Sequence, residues 1–387
     1  MEKEDIQLVC VSRMSRLCFI AEWLDPMTGV LWRYQLFHHT ETNEIEMIDI
    51  KNRRTFLKKM KLEDVKAELF YVGSTVTILS RQLKIIEYGD DFTRSRVQDR
   101  VERTLAMVKP DAFKHLGKIL NAISQSGFRI NNLRVCQLRK EEAETFYAVH
   151  RGKPFFEKLT TFMSSGRIAA IELVAPGAIS KWRELIGPTD SNKARAEAPN
   201  SIRAHFGTDG SFNAVHGSDA TDTAAEEIRF FFSQPSLGKC DLGRGTTLGV
   251  IKPHAVLDGV AGLILDIVNE HFDVTALRMC TLDKTSAAEF FEVYKGVLAL
   301  GEFTAMSDEL TSGPCISFEV ADRDGSSEIV EAFRELCGPA DPELARVLRP
   351  KSIRAQFGLN KIKNAIHCTD LAEDGQLEVE YFFSILP

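Results

Sequence analysis

Two short stretches of this sequence place a histidine where its side chain could carry a covalent group. Residues 213–219 read N-A-V-H-G-S-D around His216, and residues 364–370 read N-A-I-H-C-T-D around His367. Imidazole is uncharged and nucleophilic near pH 7, so either ring suits a reaction with a covalent intermediate. Glu227 follows His216 by eleven residues, and the same spacing recurs after His367. Such a carboxylate can orient the ring and support its transient positive charge.

Further motifs precede His216 in a definite order. They are K-P-D at 109–111, Tyr147, P-F-F at 154–156, Arg183, Thr189 and S-I-R at 201–203. Together with the histidine motif and Glu227, this constellation resembles the active site of nucleoside diphosphate kinases. The resemblance is specific because many short motifs agree in order and spacing, and it extends over both copies.

The resemblance implies the reaction and its chemistry. His216 would take the γ-phosphate of a nucleoside triphosphate, and a second nucleoside diphosphate would then receive it, in a ping-pong mechanism. Glu227 would orient the ring, Ser218 would add a hydroxyl beside it, and Lys109 and Tyr147 would contact the transferring phosphate. The implied metal is Mg²⁺, held mainly by the phosphates and water, so no residues dedicated to binding a metal are expected.

The resemblance also implies a set of nucleotide-binding residues: Lys109, Phe155, Arg183, Thr189, Arg203 and Asn213. The arginines and the threonine would hold phosphates, and the asparagine and lysine would contact the ribose. Phe155 would stack on the base, although the neighbouring Phe156 is an alternative. Stacking tolerates any base, which agrees with low nucleoside specificity.

The second copy keeps counterparts of most of these residues: Lys252, Tyr294, Arg334, Arg354, Asn364, His367 and Glu378. It also carries four substitutions: His254 for Asp111, Ala340 for Thr189, Cys368 for Gly217 and Thr369 for Ser218. The stacking phenylalanine has no clear counterpart, since Phe303 is a poor candidate. We therefore predict a weak or inactive second site, although the retained His367 keeps activity possible.

An internal duplication explains the paired motifs. VKPDAF, RELIGPTD and SIRAHFG return later in the same order as IKPHAV, RELCGPAD and SIRAQFG. Each copy is long enough to fold alone, which argues against a solenoid. We assign residues 94–235 and 246–387 to two kinase-like domains, joined by a polar, glycine-containing linker at 233–245. The two copies are expected to pair within one chain, and a slightly long loop after Thr189 argues against an ordinary hexamer.

Each copy alternates strands and helices. In the first copy we predict strands at 104–108, 128–138 and 168–174, and helices at 117–126, 141–149, 155–163 and 179–186. This order predicts an α+β class with two tandem ferredoxin-like βαββαβ domains. A doubly wound fold is the weaker alternative, because no G-x-G-x-x-G follows a strand.

Residues 1–93 differ from both copies and predict a small antiparallel β domain. One hairpin has its turn at 40–43, and a second is predicted to turn at Arg81 and Gln82. Residues 91–103 look like a charged connector. The β domain resembles the DM-ten domain, and its combination with two kinase domains is similar to tandem kinases of ciliary axonemes. That resemblance implies tubulin or other axonemal microtubule proteins as partners, and a location in the cytoplasm, the cytoskeleton and the axoneme of the cilium.

Composition limits the remaining functional classes. The net charge of −7 argues against a general nucleic-acid or anionic-membrane binder. No apolar run approaches the roughly 20 residues of a membrane helix. The cysteines show no C-x-x-C spacing, which favours reduced thiols. The alternative to an enzyme is a non-catalytic structural component of axonemal microtubules that uses the kinase folds as docking modules.

Overall fold

The computed structural model describes residues 15–62, 65, 67–234, 236–323 and 328–386. The chain forms two compact units, Met1–Val101 and Glu102–Pro387. The first fourteen residues of the predicted β domain, which include Cys10, lie outside the described residues. Every helix in the described ranges is too short or too polar to span a lipid bilayer. The cysteines in these ranges are all free thiols.

The first unit contains a six-stranded antiparallel sheet, which confirms the predicted antiparallel β class. Its strands are β1 (Arg16–Leu24), β2 (Leu31–His39), β3 (Glu44–Asp49), β4 (Arg54–Lys61), β5 (Thr75–Ile78) and β6 (Arg81–Tyr88), in the order β4-β3-β2-β1-β6-β5. Alternate side chains are buried along β3, which places one face of that strand on the core.

The second hairpin turns two residues earlier than predicted. Arg81 and Gln82 pair with Ile78 and Thr77 inside the ladder, and the turn lies at Leu79 and Ser80. Both turn residues have positive φ, 46° and 68°. Two left-handed residues match the right-handed twist of the flanking strands, and Asn-Gly is the usual sequence for such a turn. Leu-Ser lacks that signal, so the sequence pattern gave the wrong position.

The charged connector is also more ordered than predicted. Residues Asp91–Val97 form a helix, α1, whose first turn is capped by the Asp90 carboxylate accepting from the backbone N–H of Thr93. The Thr93 hydroxyl is buried and accepts from the backbone N–H of Cys18 on β1 at 2.7 Å. Helix α1 is therefore part of the first unit, which extends to Val101.

The second unit contains one continuous eight-stranded sheet. The first copy supplies β7 (Glu102–Val108), β8 (Arg129–Cys136), β9 (Ile168–Ala175) and β10 (Val215–Gly217), and the second supplies β11 (Thr247–Ile251), β12 (Asp273–Cys280), β13 (Cys315–Ala321) and β14 (Ile366–Cys368). The order is β10-β7-β9-β8-β12-β13-β11-β14. Within each copy this is the 4-1-3-2 antiparallel order of a ferredoxin-like domain, so the predicted fold class is confirmed.

Helices cover the sheet in the predicted alternation. Those of the first copy are α2 (Leu116–Gln125), α3 (Lys140–Phe146), α4 (Phe156–Met163), α5 (Ala178–Ile186), α6 (Ser191–Glu197), α7 (Ile202–Phe206) and α8 (Thr221–Phe232). Those of the second are α9 (Pro253–Leu257), α10 (Ala261–His271), α11 (Lys284–Phe290), α12 (Leu300–Leu310), α13 (Ile329–Cys337), α14 (Pro342–Leu348), α15 (Ile353–Phe357) and α16 (Gly375–Glu380).

Two segments read as loop or linker are structured. The residues after Thr189 form α6, which the Asp190 carboxylate caps by accepting from the backbone of Asn192. The linker packs against the end of β8, where Arg134 donates hydrogen bonds to the carbonyls of Phe231 and Leu237. Short polar stretches carry little hydrophobic periodicity, so neither feature had a strong signal in the sequence.

The two copies pair within the chain, as expected. Strand β8 meets β12 at Arg134 and Arg278, which joins the two sheets. Helices α2 and α10 cross with glycines at the contact. An added Cβ at Gly117 would lie 2.3 Å from the backbone nitrogen of Asp266, and one at Gly262 would lie 2.3 Å from that of Asn121. Glycine is required on both helices because the backbones touch.

We expect Gly262→Val to lower the urea midpoint of the second unit, since the new side chain must push the helices apart. Overpacking of this kind costs about 1–3 kcal/mol. The matched control is Gly301→Ala in α12, where an added Cβ meets nothing within 4 Å. The midpoint should be measured by circular dichroism for both variants. Equal effects of the two substitutions would contradict the role assigned to the crossing.

Candidate functional site

His216 lies on the short edge strand β10, where antiparallel pairing with Met107 of β7 fixes its backbone. Its Nε2 is 2.9 Å from Oε1 of Glu227 on α8, and Ser218 donates its hydroxyl to the other oxygen of that carboxylate at 2.5 Å. Because a carboxylate accepts hydrogen bonds, the ring proton is assigned to Nε2. Nδ1 then keeps its lone pair, and it bonds to no residue that the structure describes. The geometry therefore presents Nδ1 as the nucleophilic atom.

The edges of two aromatic rings meet the imidazole. The centroids of Phe146 and Tyr147 lie 5.6 and 6.3 Å from that of His216. The Tyr147 hydroxyl is buried and has no hydrogen-bond partner among the described residues. Burial, followed by the charge of Glu227, raises the pKa of Tyr147, so the phenol remains a proton donor. An unsatisfied buried donor beside the nucleophile is what an anionic substrate would satisfy.

A left-handed residue turns the chain into β10. Ala214 has φ 65°, a conformation that costs an L-residue about 1–2 kcal/mol. Asp111 accepts a hydrogen bond from the backbone N–H of Ala214 at 3.0 Å, and the backbone N–H of Lys109 donates to the Ala214 carbonyl at 2.8 Å. Asp111 therefore supports the backbone that delivers His216.

Trp182 on α5 is a residue that the sequence reading missed. It is fully buried, and its indole N–H donates to the carbonyl of His216 at 3.1 Å. A Cβ at Gly217 would lie 2.5 Å from the indole ring, so glycine is needed there to admit the tryptophan. The only available signal was the position of Trp182 next to Arg183.

The lysine and asparagine of the motif are joined by a hydrogen bond. Lys109 is buried and donates from Nζ to Oδ1 of Asn213 at 2.7 Å. Burial, followed by the charge of Arg203, lowers the pKa of Lys109 to about 8. The amide nitrogen of Asn213 donates to the carbonyls of Thr189 and Gly210. These bonds link three separate segments of the chain at one point.

Two arginines add positive charge to the site. Arg203 is buried and donates to the carbonyls of Gly187 and Val215. Burial, followed by the charge of Arg183, lowers the pKa of Arg203 to about 10. Arg183 is exposed and forms no ion pair within the described part of the chain, and Thr189 is exposed beside it. Neighbouring cations of this kind favour an anion between them.

The two candidate stacking rings are placed differently. The side chain of Phe155 is 48% exposed, and its ring meets His150 at a centroid distance of 5.4 Å. Phe156 packs against the buried core behind α4. Phe155 is therefore the ring with a face available to a ligand.

The second copy repeats the histidine and its carboxylate partner, but it differs in the exposure of the ring and in the partner of the lysine. His367 Nε2 is 3.0 Å from Glu378, and the Thr369 hydroxyl donates to the same carboxylate. The His367 side chain is 8% exposed, whereas that of His216 is 21% exposed. Lys252 donates to the carbonyl of Ile362, where Lys109 donates to Asn213.

The cations of the second copy have internal partners. Arg334 lies 2.5 Å from the Asp370 carboxylate, and Tyr294 donates to the same group. Arg354 is buried, with Nη2 3.5 Å from the sulfur of Cys368. A hydrogen bond with Cys337, with the charge of Arg354 adding to it, lowers the pKa of Cys368 to about 6.

The substitution of His254 for Asp111, like that of Thr369 for Ser218, preserves its contact, which corrects our reading of His254 as a loss. Ala365 has φ 72°, and its backbone N–H donates to Nε2 of His254 at 3.2 Å. Nδ1 of His254 is 2.6 Å from Glu309, which orients the ring. His254 with Glu309 therefore holds the same strained turn that Asp111 holds in the first copy.

No group of three or more histidine, cysteine, aspartate or glutamate side chains is placed to bind a metal ion among the residues described. A magnesium ion carried by nucleotide phosphates requires no such group. The cation cluster of Lys109, Arg183 and Arg203 fits those phosphates.

Comparison with known proteins agrees with the fold. The family model for nucleoside diphosphate kinase matches residues 102–237 and 245–385. The chain is 45% identical over 381 residues to nucleoside diphosphate kinase homolog 7 of Rattus norvegicus, covering 97% of this chain and 94% of that protein, and is equally similar to the Mus musculus homologue. A nucleoside diphosphate kinase of Aquifex aeolicus is 53% identical over 135 residues, 34% of this chain and 95% of that protein. The chain belongs to the nucleoside diphosphate kinase family.

Proposed function

We propose that this chain transfers the γ-phosphate of a nucleoside triphosphate to a nucleoside diphosphate through a phosphohistidine at His216. The proposal depends on one observation: Glu227 holds Nε2 of the ring and leaves Nδ1 available. Nδ1 attacks the γ-phosphorus, the N–P bond forms, and the bond to the bridging oxygen breaks. The nucleoside diphosphate leaves with that oxygen, and a second diphosphate reverses the step.

The protein contributes mainly position and charge to this reaction. Tyr147 donates its unpaired hydroxyl to the transferring phosphate, and Lys109 neutralises it. Arg183, with Thr189 and Arg203, holds the remaining phosphates. Magnesium bound with the nucleotide supplies further charge neutralisation. Asn213 contacts the ribose, and Phe155 stacks on the base.

Incubation with ATP should give one acid-labile phosphate per chain, on His216. His216→Ala should abolish the label, because the nucleophile is lost. The matched control is His367→Ala, which removes the counterpart in the second copy and should leave the label unchanged. Mass spectrometry of the intact chain measures both results. A label that survives the first substitution and disappears with the second would assign catalysis to the other copy.

Binding of a non-hydrolysable ATP analogue, which keeps the γ-phosphate, should weaken as pH rises from 7 to 9. Lys109 has a pKa of about 8, so it loses its positive charge in this range, while Arg203, at about 10, keeps it. Loss of one proton above the pKa weakens anion binding by about tenfold per pH unit at most. Lys109→Arg should give a flatter profile by isothermal titration calorimetry. Identical pH slopes for the two chains would exclude Lys109 as the titrating group.

We further propose that the chain is located in the cytoplasm and the cytoskeleton, on axonemal microtubules of cilia, where the first unit contacts tubulin or an associated protein. The support is the resemblance of this unit to the DM-ten domain and its compact fold separate from the kinase domains. A purely structural role is the alternative function. This alternative predicts that docking stays intact when His216 is replaced and that the parent chain shows no phosphotransfer.

Sedimentation with polymerised microtubules tests the docking proposal. The whole chain should pellet, and a chain of residues 102–387 should remain in the supernatant. The truncation begins at 102 because α1 belongs to the first unit. Equal pelleting of the two chains would contradict docking through the first unit.

A further inference from the structure

One aspartate has different partners in the two copies. In the first copy, Oδ1 of Asp219 accepts from the hydroxyl of Thr223 at 2.7 Å, at the start of α8. This bond lowers the pKa of Asp219. Arg183 also lowers the pKa of Asp219 through its charge, but it forms no ion pair with any described residue. Asp219 is thus hydrogen-bonded at the start of α8 and is not paired with the arginine.

The counterpart of Thr223 is Asp374, which brings a second carboxylate instead of a hydroxyl. Burial, followed by the charges of Glu378, Glu373 and Asp370, raises the pKa of Asp374. The helix also begins differently, because a 3₁₀ turn at Ala372–Asp374 precedes α16. Asp370 therefore has no hydroxyl partner at the helix start and is repelled by the acidic groups there.

Asp370 instead contacts the groups that would bind phosphate in the second copy. Its Oδ1 lies 2.5 Å from Nη1 of Arg334, and its Oδ2 accepts from the hydroxyl of Tyr294. The corresponding hydroxyl in the first copy, that of Tyr147, is buried and has no partner among the described residues. A guanidinium and a phenol that both donate to one oxyanion are the donors that a phosphate needs. The carboxylate stands in for the phosphate.

We propose that Asp370 closes the second site to phosphate by occupying its donors, and that the different placement of this carboxylate separates the two copies in their ability to bind a phosphate anion. The inference rests on the proposed phosphate roles of Arg334 and Tyr294. An incoming phosphate must displace the carboxylate toward Glu373, Asp374 and Glu378, which adds like-charge repulsion. The substitutions at Ala340 and Cys368 leave both of these donors, Arg334 and Tyr294, present.

The test counts the sites for inorganic pyrophosphate with magnesium, a probe that needs no base stacking. Isothermal titration calorimetry of the full chain should give one site per chain. Asp370→Asn keeps the shape but removes the charge, and the count should rise to two, with at least tenfold tighter binding at the second site. Asp374→Thr, which restores a hydroxyl partner for Asp370, should have the same effect. Asp219→Asn is the matched control and should leave the count at one.

The possible results separate this proposal from the proposed function. A parent chain that binds no pyrophosphate, with one site gained in Asp370→Asn, would support closure by Asp370 and contradict phosphate binding in the first copy. A count that stays unchanged in both Asp370→Asn and Asp374→Thr, with circular dichroism identical to that of the parent, would overturn the proposal. A parent chain that already binds two pyrophosphates would also overturn the proposal. In the His216→Ala background, Asp370→Asn should further allow labelling of His367 by ATP.

Discussion

The hydrogen bond between Glu227 and Nε2 of His216 determines what the first site can do. It selects the tautomer, so the lone pair lies on Nδ1, and it fixes the plane of the ring. Everything nearby supports that contact. Ser218 orients the carboxylate, Trp182 holds the carbonyl of His216, and Asp111 holds the left-handed turn before the strand. Without these hydrogen bonds, neither the plane of the His216 ring nor the direction of its Nδ1 lone pair would be fixed.

The second constraint is the grouping of cations where water is partly excluded. Burial, followed by the charge of Arg203, lowers the pKa of Lys109, and burial, followed by the charge of Arg183, lowers the pKa of Arg203. Such an arrangement is unfavourable in isolation and becomes favourable when an anion enters. In the second copy, groups of the chain itself lie against the arginines: Asp370 pairs with Arg334, and Cys368 lies against Arg354. The duplicated backbone is therefore compatible with an open site and with one closed by its own carboxylate.

Pairing of the copies within one chain is set by backbone contact. Gly117 and Gly262 allow α2 and α10 to touch, and β8 joins β12 in the continuous sheet. The pairing also buries apolar side chains, because one hydrophobic cluster includes residues of both copies, such as Ile119 and Ile264. The substitutions that distinguish the second site lie away from this crossing, so the sites can diverge while the pairing is retained.

Hydrophobic periodicity and the repeated motifs determined the fold class, the duplication and the identity of the residues around His216. Buried strands such as Ile168–Ala175 are long apolar runs, and the motifs keep their order, so both can be recognised from the sequence alone. Tertiary structure alone decided the tautomer of His216, the role of Trp182, the replacement of Asp111 by His254 with Glu309, and the direction of Asp370. It also decided the turn at Leu79 and Ser80. These features depend on which groups from distant segments lie within about 3 Å of one another, and hydrogen bonds are directional over that short range. A sequence records the groups, and only the folded chain sets their distances.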